Sequence, residues 1–420
     1  MTDLNGIASS NRLNSSFLGL GFYLVVLLVL YPVGWGWIDL KFECYLLVHT
    51  VLFGTLFLFR NSNVSRKQIL VVAILGRILL VGVPPFTTAD VGRYFWDGFV
   101  LSQGLDPYTL TPNQLKHLAS QWPLPFDNRD YVSLYPPLGM MLFRVSVVFG
   151  YSYALWVWKS ILLVVSCFTV FFLGRVIKSN RSFFWIVLNP LLLLETMVGS
   201  HIDAVVGLAI VSAMYLALEK RWALVGVSLG LGTLVKLSPL LCILASLTSL
   251  GFRRSGLKLA GGFFLTVGVG YGAFLLLGFV PLGSIGTFFK LWRFGSPLQF
   301  LFDELALVHS VFWVRALIAG GVIFWVSRSH TDFLARWALW LALLFLLSPV
   351  VFPWYLIPLV VIPRYQLFVS GWAFSLPFTY EVMTQYVDSG LWQPSAWPLC
   401  LIFLGWVLAG FFQDAGRKSC

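Results

Sequence analysis

Residues 68–98 read QILVVAILGRILLVGVPPFTTADVGRYFWDG. The first part, 68–85, is apolar but for Gln68 and Arg77 and has the length of a helix crossing a bilayer with little to spare. It shows no alternation of the kind a strand needs. The second part packs Asp90, Arg93, Tyr94, Trp96 and Asp97 into eight residues. With only 17 Asp+Glu in 420 residues, two acids straight after an apolar span point to chemistry at a membrane face.

The rest of the chain agrees with that reading. Charged residues make up 11%, against about 25% in soluble domains, so the chain is an integral membrane protein. Its apolar runs have helical lengths rather than the alternating ten-residue pattern of a barrel. The expected fold class is all-α, a polytopic transmembrane helix bundle of roughly 12–14 spans. Apolar segments fall at 15–37, 40–60, 68–85, 152–177, 183–199, 202–218, 222–236, 238–251, 256–281, 304–327, 333–350, 353–369, 370–386 and 393–413. Residues 1–14 are polar, and the run after them is too long for a signal h-region, so it reads as a retained span.

A net charge of +11 would suit nucleic acid, but the basic residues sit in short turns between apolar runs. Arg60/Arg66/Lys67, Arg175/Lys178/Arg181, Lys220/Arg221, Arg253/Arg254/Lys258, Arg328/Arg336 and Arg417/Lys418 share one side if both termini are cytoplasmic. The expected partner is membrane lipid, with no nucleic acid. The acids Asp90, Asp97, Asp106, Asp127, Asp130, Glu195, Asp203, Asp303, Glu304 and Asp388 fall on or near the outer side. For this topology to close, the apolar residues 136–150 must be a short interfacial or re-entrant helix. Residues 86–151 then form one large extracytoplasmic loop carrying two such helices, within a single integral membrane domain spanning 1–420. The five cysteines, Cys44, Cys167, Cys242, Cys400 and Cys420, show neither metal-ligand spacing nor a disulfide framework.

On a helix starting near Asp90, residues Asp90, Arg93, Tyr94 and Asp97 share one face. A carboxylate there is able to act as general base on a sugar hydroxyl, with a guanidinium one turn away to fix it or to bind phosphate. The same spacing suits an N-capping aspartate beside an Arg93–Asp97 surface ion pair. Tyr108 and Tyr135 stand in rigid turns, Gly104-Leu105-Asp106-Pro107-Tyr108 and Leu134-Tyr135-Pro136-Pro137. Glu195, His201 and Asp203 lie at the outer end of two short spans, where ionisable groups default to function. His201 and Asp203 suggest a divalent metal pair, but a third ligand at suitable spacing is missing, so no cofactor is expected. Lys236 and Arg293 are phosphate candidates; Lys236 equally suits snorkelling. Lys290 is a further phosphate candidate, and Arg77 needs a buried partner, for which a loop acid is expected. No P-loop, nucleophile elbow or Rossmann glycine pattern is present, so no ATP-driven step is suggested.

Taken in order, Arg77, Pro84-Pro85, Ala89 to Gly98, Gly104 to Tyr108, Tyr135-Pro136-Pro137, Asn189-Pro190, Glu195, His201-Ile202-Asp203, Leu234 to Pro239, Ser348-Pro349 and Pro353-Trp354-Tyr355 resemble polyprenol-phosphate-sugar-dependent membrane glycosyltransferases of the GT-C class. The nearest likeness is to the polyprenol-phosphate-mannose mannosyltransferase branch, over roughly residues 70–360. The resemblance implies inverting transfer of a hexose, most of all mannose, from a polyprenyl-phosphate donor at the extracytoplasmic face. The acceptor is a hydroxyl of a glycan, glycolipid or protein. Asp90 matches the family's catalytic aspartate, and Arg93, Lys236 and Arg293 are the cations available to the leaving phosphate. Many relatives carry two adjacent acids where this chain has Ala89-Asp90, which tells against a metal-dependent variant. The expected location is the inner membrane of a bacterium. Two other readings share parts of the pattern. A lipid-linked glycan flippase or transporter would want internal repeats and a mid-depth polar site, and neither is evident. A glycan polymerase or ligase would share the outer-face acids and the cationic site.

Overall fold

The computed structural model of the protein describes residues 18–61, 64–251, 253–281, 283–296 and 332–380, with five positions between 317 and 324. The expected segment at 393–413, nearly all of that at 304–327, and Asp303, Glu304, Arg328, Asp388, Arg417 and Lys418 lie outside the described residues.

Helices follow the apolar runs. The chain opens with α1 (Leu18–Gly34), α2 (Lys41–Leu58) and α3 (Arg66–Val81). Pro32 removes the N–H that the Leu28 carbonyl would accept in α1. That carbonyl instead takes the Tyr31 N–H at 3.2 Å, and the helix tightens there. A capping box between Ser65 and Gln68 starts α3. Helices α4 (Asp90–Ser102) and α5 (Pro137–Ser146) follow, joined by irregular chain with one 3-10 turn at Lys116–Ser120. These are the two helices expected within 86–151. Then come α6 (Tyr151–Val176), α7 (Asn180–Val187), α8 (Pro190–Met197), α9 (Asp203–Leu218), α10 (Trp222–Thr233), α11 (Pro239–Leu250) and α12 (Arg254–Leu276). The described chain ends through α13 (Ile285–Leu291), α14 (Phe333–Leu347), α15 (Ile357–Val360) and α16 (Gln366–Ser375). Among the described residues extended pairing is limited to one isolated bridge, Phe294 to Val350.

Among the described residues three helices, α2, α6 and α12, are long and apolar enough to cross a membrane, and five shorter apolar helices accompany them. Their outward faces expose large apolar side chains such as Leu47, Phe168, Phe171, Phe264, Leu265 and Val269. In water such contiguous exposure would drive aggregation; against lipid it is the matching solvent. The protein is therefore an all-α membrane bundle. Helices α10 and α12 pack backbone to backbone: a Cβ at Gly226 would stand 2.0 Å from the Leu259 carbonyl oxygen. Small residues permit such approach where no hydrophobic force pulls helices together.

Two segments differ from the sequence expectation. The run at 183–199 is two helices, α7 and α8, because Pro190 cannot continue α7 and Asn189 caps α8 through the Leu191 and Leu192 amides. Prolines at 353, 358 and 363 likewise break the run at 353–369. The chain there makes a 3-10 turn (Pro353–Leu356) and the short α15, then reverses at Tyr365, which is left-handed (φ 52°). The reversal thus precedes the boundary expected at 369–370.

Arg77 does not pair with a loop acid. Its guanidinium donates to Ser166 Oγ (2.6 Å), to the Ala73 carbonyl and to the Val187 carbonyl (3.3 Å) at the end of α7. The Tyr23 hydroxyl binds the next carbonyl, Leu188, at 2.7 Å. At the far end of α8, the Lys159 ammonium binds the Met197 carbonyl together with that of Val83. The break between α7 and α8 and the far end of α8 thus have donors for carbonyls that lipid would leave orphaned.

Helix α4 is buried along most of its length and crosses α5 at Gly98. A Cβ there would lie 2.4 Å from the Phe143 carbonyl carbon and oxygen, which are backbone and cannot rotate away. Gly98→Ala should therefore separate α4 from α5 and cost about 1–3 kcal/mol, read as a lowered thermal midpoint in detergent. An unchanged midpoint would show that the two helices do not depend on this contact.

Candidate active site

The N-terminus of α4 opens into a cavity of about 820 Å³. Its floor carries Asp90, Arg93 and Asp97 from α4 and Lys236 from the turn between α10 and α11. Its walls come from Lys41 and Phe42 at the start of α2, residues 126–135 of the loop, Ser284 and α13, and Phe352, Trp354 and Tyr355. The loop is pinned to the bundle at several points. The Leu138 and Gly139 amides, spare donors at the start of α5, share the Leu234 carbonyl, a spare acceptor at the end of α10. Ser284 donates its hydroxyl to the Val132 carbonyl at 2.8 Å and its amide to that of Ser133.

Asp90 is the first residue of α4, where the helix dipole favours a negative charge. Its side chain is 28% exposed, open to the cavity on one side. On the other side its Oδ2 stands 3.5 Å from His201 Nδ1. The other ring nitrogen, Nε2, stands 3.5 Å from Glu195 Oε2. His201 and Glu195 are fully buried, so both form the wall behind Asp90 rather than its surface. Glu195 accepts hydrogen bonds from the hydroxyls of Tyr45 and Tyr380, the latter at 2.8 Å. The imidazole lies flat on the Trp354 indole, centroids 3.7 Å apart and planes within 8°.

Arg93 pairs with Asp97 at 2.8 Å, not with Asp90. One turn of helix sets the i, i+4 pair side by side. Its remaining nitrogens donate to the carbonyls of Asn128 (2.8 Å) and Tyr131 (2.9 Å). The guanidinium is thus committed to holding the loop across the cavity. Burial pushes the Asp97 carboxyl above its ordinary range, and the Arg93 charge pulls it back. Lys236 donates to Asp203 Oδ1 at 2.7 Å and lies 3.6 Å from the Tyr355 ring centroid. Asp203 itself is buried beneath that pair.

The tyrosines have separate places. Tyr135 lines the cavity. Tyr94 sits behind it in an aromatic cluster, edge-on to Tyr135 at 5.3 Å and stacked on Phe143 at 4.4 Å. Tyr108 donates to the Tyr135 carbonyl at 2.8 Å, bracing the turn. Arg293 donates to the adjacent Trp292 carbonyl and is not among the lining residues. The Lys290 side chain lies outside the described residues.

Sequence reasoning missed Lys41, Tyr45, Asp127 and Tyr380 as site residues. Lys41 follows a short turn at the head of α2, and its ammonium makes no hydrogen bond among the described residues. Tyr45, one turn further on inside an apolar run, carried the signal of a polar edge at membrane depth. Asp127 is exposed at the cavity mouth. The protein closing around it costs its charge hydration, the Asp90 carboxylate adds repulsion, and the carboxyl is pushed up to about 6. Among the described residues no group of three or more His, Cys, Asp or Glu is arranged to hold a metal.

Residues 15–250 match the family described as alpha-(1->6)-mannopyranosyltransferase, N-terminal domain. That is more than half of the chain, and it contains Asp90, Glu195, His201, Asp203 and Lys236. The chain belongs to this family. The protein is accordingly a glycosyltransferase, of a family that transfers mannose. No curated protein matches the chain. The matched region ends with α11, so Phe352, Trp354, Tyr355 and Tyr380 complete the cavity and its backing from outside it.

Proposed function

We propose that the protein transfers mannose from a polyprenyl-phosphate donor to an acceptor hydroxyl, with inversion, at the extracytoplasmic face of a bacterial inner membrane. The family's name makes an α-(1→6) linkage the first to test. One observation carries the reading. A carboxylate at a helix N-terminus opens into a cavity of about 820 Å³ that also receives two lysines. That volume is of the size that holds small ligands. In this reading Asp90 removes the acceptor proton as the oxygen attacks the anomeric carbon. The C–O bond to phosphate breaks with its electron pair going to the phosphate. Lys236 and Lys41 stabilise that leaving charge, while Arg93, spent on Asp97 and two carbonyls, shapes the loop. The part-exposed rings of Tyr135 and Tyr355 offer the sugar its apolar contacts. Residues 86–151 form the extracytoplasmic loop of a single multi-pass domain, with both termini cytoplasmic. The common cavity of Asp90 and Lys236 supports placing both on one side.

The test is transfer of labelled mannose from polyprenyl-phosphate-mannose by purified protein in detergent, with glucose, galactose and arabinose donors as controls. Mannose transfer with inverted anomeric configuration is expected. Transfer from another donor only, or none from any, would sink the reading.

Asp127 gives a pH signature. Its folded-state carboxyl is raised from 3.8 to about 6, so the fold holds that proton more tightly than the unfolded chain does. Stability from this group is present at low pH and is lost as pH rises through about 6. Donor affinity follows the same direction, because neutral Asp127 removes a negative charge facing an anionic phosphate. Donor KM should fall about two- to threefold as pH drops through 6, a small step because the group is exposed and screened. Asp127→Asn should flatten it; a step surviving in that variant belongs to another group.

A further inference from the structure

The geometry points to His201 as the second station for the acceptor proton: Asp90 takes it first and passes it to His201 Nδ1, with Glu195 holding the ring on the far side. This rests on the transfer reading above and goes beyond it, since a single base at Asp90 needs nothing behind it. Both ring nitrogens face a carboxylate oxygen at 3.5 Å, one on α4 and one on α8. Neither nitrogen has another hydrogen-bond partner among the described residues. At 3.5 Å neither contact is a formed hydrogen bond, and both are within a small adjustment of one.

The proton count assigns each ring nitrogen its part. A neutral imidazole offers one donor and one acceptor, and an ionised carboxylate only accepts. Glu195 is fixed by two donating tyrosine hydroxyls, Tyr45 and Tyr380, and takes the Nε2–H side of the ring. Nδ1 then presents a lone pair to the Asp90 carboxylate. When Asp90 gains the acceptor proton, its Oδ2–H becomes the donor that Nδ1 lacked. Transfer across that contact breaks the Asp90 O–H bond, forms Nδ1–H, and returns Asp90 to the carboxylate. The imidazolium now lies between two anions and flat on Trp354, whose π face attracts a cation. The proton leaves to water or to the phosphate product by the reverse step through Asp90. The same imidazole also faces Asp203, itself bound to Lys236, so the charged groups around it are Asp90, Glu195, Asp203 and Lys236.

His201 is on this account a positioning and relay residue that never touches the sugar. The test compares single-turnover rates of wild type, His201→Gln, His201→Phe and Glu195→Gln in the full-length protein with polyprenyl-phosphate-mannose, across pH and in mixed H2O/D2O. His201→Gln should lower the rate about 10²-fold with donor KM nearly unchanged, and both His201→Gln and Glu195→Gln should alter the pH profile of the single-turnover rate. His201→Phe keeps the stack on Trp354 and should be no better than His201→Gln. Wild type should show a curved isotope inventory, two protons moving together. A linear inventory, or a His201→Phe protein with wild-type rate and pH profile, overturns the relay. If wild type transfers no mannose, the proposed function has failed; if wild type transfers, Asp90→Asn does not, and His201→Gln is normal, only the relay has.

Discussion

Asp90→Asn should abolish measurable mannosyl transfer, a fall of about 10²–10⁴-fold in kcat, while folding and donor binding persist. The asparagine keeps the shape and the place at the head of α4. It loses the negative charge and with it the ability to accept a proton. Among the described residues Asp90 is the one carboxylate that both opens to the cavity and faces His201, so none of the others stands in the same position. Asp97 is held by Arg93, Asp203 by Lys236, and Glu195 lies one residue deeper, behind the imidazole. The check is turnover of purified variant and wild type beside a donor-binding measurement. Undiminished turnover by the asparagine variant would remove Asp90 from the chemistry.

Lys236→Met should injure both stability and activity, and a second substitution should separate the two. Asp203 is 2% exposed beneath the ammonium. Removing the lysine leaves a buried carboxylate unpaired, a loss of about 3–5 kcal/mol in buried pairs. The lysine side chain is itself 23% exposed, which favours the lower end. Adding Asp203→Asn removes the stranded charge, so the double variant should regain most of the thermal midpoint. It should not regain transfer, because the cation facing the leaving phosphate is still missing. A double variant with wild-type turnover would make Lys236 a structural residue and leave the phosphate to Lys41.

Local spacing made part of this site legible. The i, i+3, i+7 pattern put Asp90, Arg93 and Asp97 on one face, and all three line one cavity. The apolar stretch at 136–150 is expected to hold a short helix, and α5 is one, ten residues long. What spacing could not supply was partnership across long stretches of chain. Tyr45 and Tyr380 reach Glu195 over 150 and 185 residues, and nothing local to either tyrosine names the other end. The break between α7 and α8 had a visible signal, Asn189-Pro190. Hydropathy ran straight through it, since a proline does not make a segment less apolar. Spacing leaves Arg93 between two readings, a partner for Asp90 and an ion pair with Asp97, because i+3 and i+4 carboxylates are both within reach on a helix; only the loop carbonyls decide which way the guanidinium turns.

The donors at that break tie the reaction to positions far from it. Arg77 on α3, Tyr23 on α1 and Lys159 on α6 hold the ends of α7 and α8, and α8 carries Glu195. None of the three faces the cavity. Whatever orients the imidazole is thereby answerable to side chains buried among three other helices. Substitutions at Tyr23, Arg77 or Lys159 belong with the loss-of-turnover variants as much as with the misfolded ones.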